Sequence, residues 1–151
     1  MSKYSRSLVR RGALVAALGL AAAAVSMPAV GASNQIPLNT GQEAASQGIP
    51  VNTGAHGWFT YSIEGDELCY TLMVDGLSSP ATNAHIHVGP RTVIGPPVVQ
   101  LDFERTTSFT VSECVMPAPE VLAAIEENPK SYYVNVHSGM FPVGELRGQL
   151  R

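Results

Sequence analysis

The residues of this chain best suited to chemistry are three imidazoles on two short segments. In Ala84-His85-Ile86-His87-Val88 the apolar residues alternate with histidine. If the segment is a strand, His85 and His87 project together from one face, about 7 Å apart along the chain, while Ala84, Ile86 and Val88 turn to the other. Tyr132-Tyr133-Val134-Asn135-Val136-His137 repeats the pattern, with Val134 and Val136 inward and Tyr133, Asn135 and His137 outward. In Glu145–Leu150, Leu146 and Leu150 take the inner face and Glu145, Arg147 and Gln149 the outer one. Were these strands neighbours, one outer surface would collect His85, His87, His137, Glu145 and Arg147.

Imidazole is a good ligand for copper, zinc, nickel or iron, and a His-X-His strand offers two donors with one backbone orientation. A third donor from His137 would complete a site with one position open to water or substrate. Asn135 or Glu145 could hold a ring N–H and set the tautomer. The competing reading is that these are partly exposed strand residues bonded to their neighbours. His56, in a Gly-rich approach to the next segment, is a weaker ligand candidate. No serine stands in a nucleophile-elbow context, and Asp102 with Glu104 has no further sign of a glycosidase pair.

The elements that would position these groups are strands. Period-two alternation runs through Trp58–Ile63, Glu67–Val74, Ser108–Cys114, Ala84–Val88, Val98–Leu101, Tyr132–Val136 and Glu145–Leu150. Turn signals separate them, among them Asp75-Gly76, Gly89-Pro90 and Gly95-Pro96-Pro97. Ile36-Pro37-Leu38-Asn39-Thr40-Gly41 returns as Ile49-Pro50-Val51-Asn52-Thr53-Gly54. Two copies are too few for a solenoid and predict an edge strand and an extended approach, since proline is tolerated at an edge. Pro119–Asn128 opens with Pro and Glu, carries Leu122 and Ile125 on one helical face and stops before Pro129, so it predicts one short helix. The expectation is an all-β antiparallel Greek-key sandwich or barrel of about seven to eight strands with that helix inserted.

The first 32 residues read as a signal peptide: Lys3, Arg6, Arg10 and Arg11, then an apolar run from Gly12 to Val25, then small residues ending at Ala32. The run is shorter than a spanning helix needs, so no retained membrane span is expected, and residues 33–151 form one exported domain. Arg10-Arg11 is a poor match to a twin-arginine signal. After Ala32 five basic residues face twelve acidic ones, a charge of −7. The five cations, Arg91, Arg105, Lys130, Arg147 and Arg151, look scattered in the sequence, which excludes nucleic acid as a partner and leaves a metal ion or an extracellular protein. Cys69 and Cys114 both lie in the exported part, on the more polar faces of their strands, so they are expected to form a disulfide outside the core.

Taken in order, Leu68–Leu77, Ala84–Gly89, Gly95–Val99, Tyr132–His137 and Pro142–Leu150 resemble the CHRD domain, named from chordin and common in secreted bacterial proteins. The resemblance covers nearly all of the exported part. It implies an all-β extracellular module, often with paired cysteines, and of the functional readings a non-enzymatic binding or structural module, which needs only the fold and an outer surface, is the one expected. The His-X-His strand is also similar to the copper ligands of copper/zinc superoxide dismutases. That second resemblance implies, as an alternative, a copper-only redox enzyme with His85, His87 and His137 as ligands and Arg147 as anion guide, since no zinc-ligand loop or bridging histidine is present.

Overall fold

The computed structural model describes residues 35–43 and 51–151. The signal peptide expected over residues 1–32 lies outside them, as do Ile49 and Pro50 of the repeated hexapeptide. Among the described residues eight strands are formed: β1 (Ile36–Asn39), β2 (His56–Glu64), β3 (Glu67–Asp75), β4 (Ala81–Val88), β5 (Pro97–Gln100), β6 (Phe109–Val115), β7 (Tyr132–Ser138) and β8 (Leu146–Gln149). One helix, α1 (Pro119–Glu127), joins β6 to β7 by way of a short 3-10 turn. The strands make a single antiparallel sheet in the order β5-β4-β7-β8-β1-β2-β3-β6, curled into a half-barrel.

Alternation decides which face each strand buries. Leu68, Tyr70, Leu72 and Val74 of β3 point into the curl, where they meet Phe59, Ile86, Val134, Val136 and Leu146 in one continuous cluster. Removing this apolar area from water is the main driving force for the curl, at roughly 25 cal/mol per Å². Leu122 and Ile125, one helical turn apart on α1, join the same cluster. Pro119 starts α1 where a missing N–H costs nothing, and Asn128 closes it by donating its backbone N–H to Ala124 O.

The structure departs from the sequence reading at β1. It is an interior strand, paired with β2 over four residues and with β8 through Asn39 and Arg147 alone. With so short a ladder toward β8, Pro37 can stand inside the sheet without breaking a continuous run of bonds. A second departure concerns the outer side of β7, where every residue from Tyr133 to Ser138 is buried. Alternation assigned that face to solvent, but chain connections fold back over it.

Cys69 and Cys114 stand directly opposite one another on β3 and β6 and are bonded. The bridge lies on the outer face of the sheet and ties down β6, which is an edge strand. It spans 45 residues, and closing a loop of that size constrains the unfolded chain by about 4 kcal/mol in the chain-entropy model. A Cys69→Ser/Cys114→Ser variant should therefore lose about 4 kcal/mol of unfolding free energy in urea titrations followed by Trp58 fluorescence. A loss under about 1 kcal/mol would show that β6 is held by its ladder alone.

Candidate functional site: a three-imidazole cluster on the outer face

In the β4–β7 ladder Asn83 faces His137, His85 faces Asn135 and His87 faces Tyr133. The three imidazoles of the two strands thus form a triangle, with ring centroids 5.1, 5.4 and 5.6 Å apart. One potential ligand atom from each ring lies within 4.8 Å of the others. His85 Nδ1 and His137 Nε2 are 3.2 Å apart. Two nitrogens bound to one ion at about 2.0–2.1 Å with tetrahedral angles would be about 3.3 Å apart, so this pair is already close to ligand spacing.

Backbone carbonyls set the orientation of two of the rings. His87 Nδ1 lies 2.8 Å from Gly95 O, and His137 Nδ1 lies 3.0 Å from Pro142 O. Each carbonyl can only accept, so both rings carry their proton on Nδ1 and keep the Nε2 lone pair free, that of His137 lying against His85 Nδ1. His87 Nε2 is buried and has no hydrogen-bond partner. Leaving a buried nitrogen unpaired costs on the order of 1–3 kcal/mol, a penalty that a bound cation at the centre would remove.

The cover over these rings is the β4–β5 connection, Gly89–Pro96, laid across the outer face. Arg147, on β8, donates to Val93 O at 2.9 Å and Pro90 O at 2.8 Å. Its guanidinium stacks on the Tyr133 ring at 3.4 Å from the centroid, and His87 lies parallel to the same ring with centroids 5.0 Å apart. Tyr133 Oη in turn accepts from Gly95 N. Only glycine fits at position 95, where a Cβ would fall 1.5 Å from Val88 O.

Burial and electrostatics keep the cluster neutral. Burial pushes the His137 pKa down to about 4, against the raising effect of its bond to Pro142 O, and charge on His85 and His87 pushes it down further. His87 is lowered first by burial, with the Gly95 bond opposing and His85 and Arg147 adding to the shift. His85 is lowered by burial, offset by Gln100. Three neutral imidazoles are the donor type that a borderline or soft transition-metal ion takes, once the proton that His85 Nδ1 shares with His137 Nε2 is released.

The family model for the CHRD domain matches residues 35–150. The chain belongs to the CHRD domain family. No curated protein and no solved structure matches it. The matched span contains all eight strands of this CHRD domain and all three clustered histidines.

Other residues singled out in the sequence lie elsewhere. Asn135 Nδ2 donates to Leu146 O at 2.9 Å and to Glu43 Oε1, not to an imidazole. Glu145 is fully buried and accepts from Thr53 Oγ1, Ser78 N, Ser78 Oγ and Ser138 Oγ, so it ties three segments together at one end of the sheet. The Arg147 guanidinium is buried under the Gly89–Pro96 connection and occupied by its carbonyls. His56 stands at the start of β2, exposed, 3.9 Å from Asp75. Among the described residues, the three cluster histidines and the set Glu67, Cys69 and Cys114 come within ligand spacing, and the second is closed by the disulfide.

Two features of the site escape a sequence reading. The carbonyls of Gly95 and Pro142 carry no side-chain signature beyond the Gly-Pro and Pro-Val-Gly turns that contain them. Glu43 is the other: it sits against Asn135 because Gly144, with φ of +145°, leaves space there, and a Cβ would come within 2.7 Å of Glu43 Oε2.

Burial raises the Glu43 pKa to about 7, against the lowering effects of Arg147 and of the Asn135 bond. A carboxyl with a raised folded-state pKa lends stability at low pH and forfeits it as pH climbs from its unfolded value of 4.5 toward 7. Glu43→Gln should then stabilise the protein at pH 8 by on the order of 1–2 kcal/mol and leave it unchanged at pH 4. Urea titrations at both pH values check this. A variant less stable than wild type at pH 8 would show that ionised Glu43 is a net support for Arg147.

Proposed function

We propose that this CHRD domain is an exported binding module that holds one transition-metal ion, copper or zinc, through His85, His87 and His137. The family supports a binding or structural module as the general role. The observation that carries the finer reading is the buried His87 Nε2, which has no partner, on a ring with a nitrogen within 4.8 Å of one on each of two further imidazoles. The leading basic, apolar and small-residue regions and the Cys69–Cys114 bridge support export to an oxidising compartment.

The residues act by geometry. Gly95 O and Pro142 O hold protons on the far side of two rings, and the β4–β7 ladder fixes the spacing, so little side-chain entropy is lost when an ion is held. A bound copper ion would add redox capacity, and zinc a Lewis acid. The dismutase-type alternative has less support, because Arg147 is engaged by Pro90 and Val93 carbonyls rather than presented to an incoming anion.

Titration of the metal-free protein with Cu(II) and Zn(II), followed calorimetrically and by the nitrogen hyperfine pattern of copper, should show one site per chain. His87→Ala should weaken binding by more than the roughly 10–100-fold that loss of a group supporting a ligand costs. Thermal unfolding of the variant verifies its fold, and His137→Ala serves as a second probe. Binding of neither ion above background, or equal binding by both variants and wild type, rejects the proposal.

The pH profile provides a further check. Depressed histidine pKa values mean that the neutral, ligating form persists below the ordinary value of 6.5. Affinity should stay level from pH 8 to about 6 and collapse as pH approaches 4, where His137 itself takes up a proton. A decline already complete at pH 6 would mean that the ligands are ordinary exposed histidines.

A further inference from the structure

A cavity of about 670 Å³ lies apart from the imidazole cluster. Arg91, Lys130 and Arg151 line it, with the polar side chains of Asn39, Gln42 and Gln149 between them. Three of the five cations that follow residue 32 therefore meet at one hollow, and Arg147 lies close enough for its charge and that of Arg91 to be coupled. The sequence showed them scattered over 60 residues. The sheet gathers them, because β8, the Gly89–Pro96 connection and the turn before β7 share one corner.

Two observations turn this gathering into a built site. All twelve carboxylate side chains of the sequence belong to described residues, and none forms a salt bridge with Arg91, Lys130 or Arg151. In a domain with twelve acidic and five basic residues, like charges without counter-charges are held together although opposite charges are abundant. The backbone beneath them is also clamped. Arg147 grips Pro90 O and Val93 O on either side of Arg91, while Gln149 Nε2 donates to Gly89 O, Lys130 O and Tyr132 O. Gln42 Oε1 accepts from Gln149 N, and Arg151 donates to Gln35 O.

We propose that this cavity binds a multiply charged oxyanion, a ligand bearing two or three phosphate or sulfate groups, with Arg91, Lys130 and Arg151 neutralising its charge. The cavity exceeds what a single phosphate needs, and arginine offers the paired donors that match tetrahedral oxyanions. Such groups occur on small free anions and on extracellular polymers, and the same donors serve both.

The test uses the exported protein without added metal, in about 20 mM salt, with two probes measured by calorimetry: sodium tripolyphosphate and a sulfated heparin hexasaccharide. At least one probe should bind saturably, and raising salt to about 150 mM should weaken it. Arg91→Ala/Lys130→Ala should lower the affinity by about tenfold or more. Arg105→Ala, which does not line the cavity, should leave it unchanged, and because the titration contains no metal its outcome is independent of the metal reading. Comparable binding of both probes assigns a small free anion; binding of the hexasaccharide alone assigns a polymer-borne one. Absence of saturable binding by either probe, unchanged affinity in the double variant, or an equal loss in Arg105→Ala overturns the proposal.

Discussion

A buried guanidinium governs the outer side of this sheet. Arg147 is 1% exposed, and a charge taken out of water must find donors or acceptors that replace its hydration. Here the replacements are the carbonyls of Pro90 and Val93 and the face of Tyr133. Satisfying Arg147 therefore requires the Gly89–Pro96 connection to lie flat on the sheet. Once it does, Gly95 is fixed beside His87 and Tyr133, and its carbonyl decides which nitrogen of His87 is protonated. The metal-ligating potential of one residue thus depends on the desolvation of another one strand away from its own neighbour.

A second buried polar group, Glu145, lies just before β8, two residues from Arg147. The carboxylate of Glu145 is saturated by hydroxyls and an N–H from the approach to β2, the β3–β4 connection and the end of β7. Charge-assisted bonds of this sort are about twice as strong as neutral ones, and losing the carboxylate would orphan several buried donors at once. Between Arg147 and Glu145 the chain has little freedom, and Pro142 O is presented to His137 by the same turn that positions Glu145. The imidazole triangle is pre-set by groups that never touch it, which is how a ligand set avoids an ordering cost on binding.

Much of the fold was legible because local rules suffice for it. Leu68, Tyr70, Leu72 and Val74 had to share a face, as did His85 and His87, whatever their partners. The two cysteines had to fall on the polar side, and Pro119 and Pro129 had to bracket a helix. The reading failed where a residue's surroundings come from distant chain. β1 seemed an edge strand because Pro37 is awkward elsewhere, yet β8 reaches it from over 100 residues away. Glu145 and Asn135 seemed free to support the histidines, but hydroxyls and Glu43 claim them.

Alternation alone therefore determined the strands, the inward and outward sets and the pairing of imidazoles within β4, since a strand's side-chain period is a property of its own backbone. Register and strand order decided the rest. Only the tertiary structure placed His137 against His85, sealed Arg147 beneath a connection and drew Arg91, Lys130 and Arg151 to one cavity. The physical reason is that charge pairing, burial and ligand convergence are relations between segments, and no single stretch of sequence encodes the distance to another.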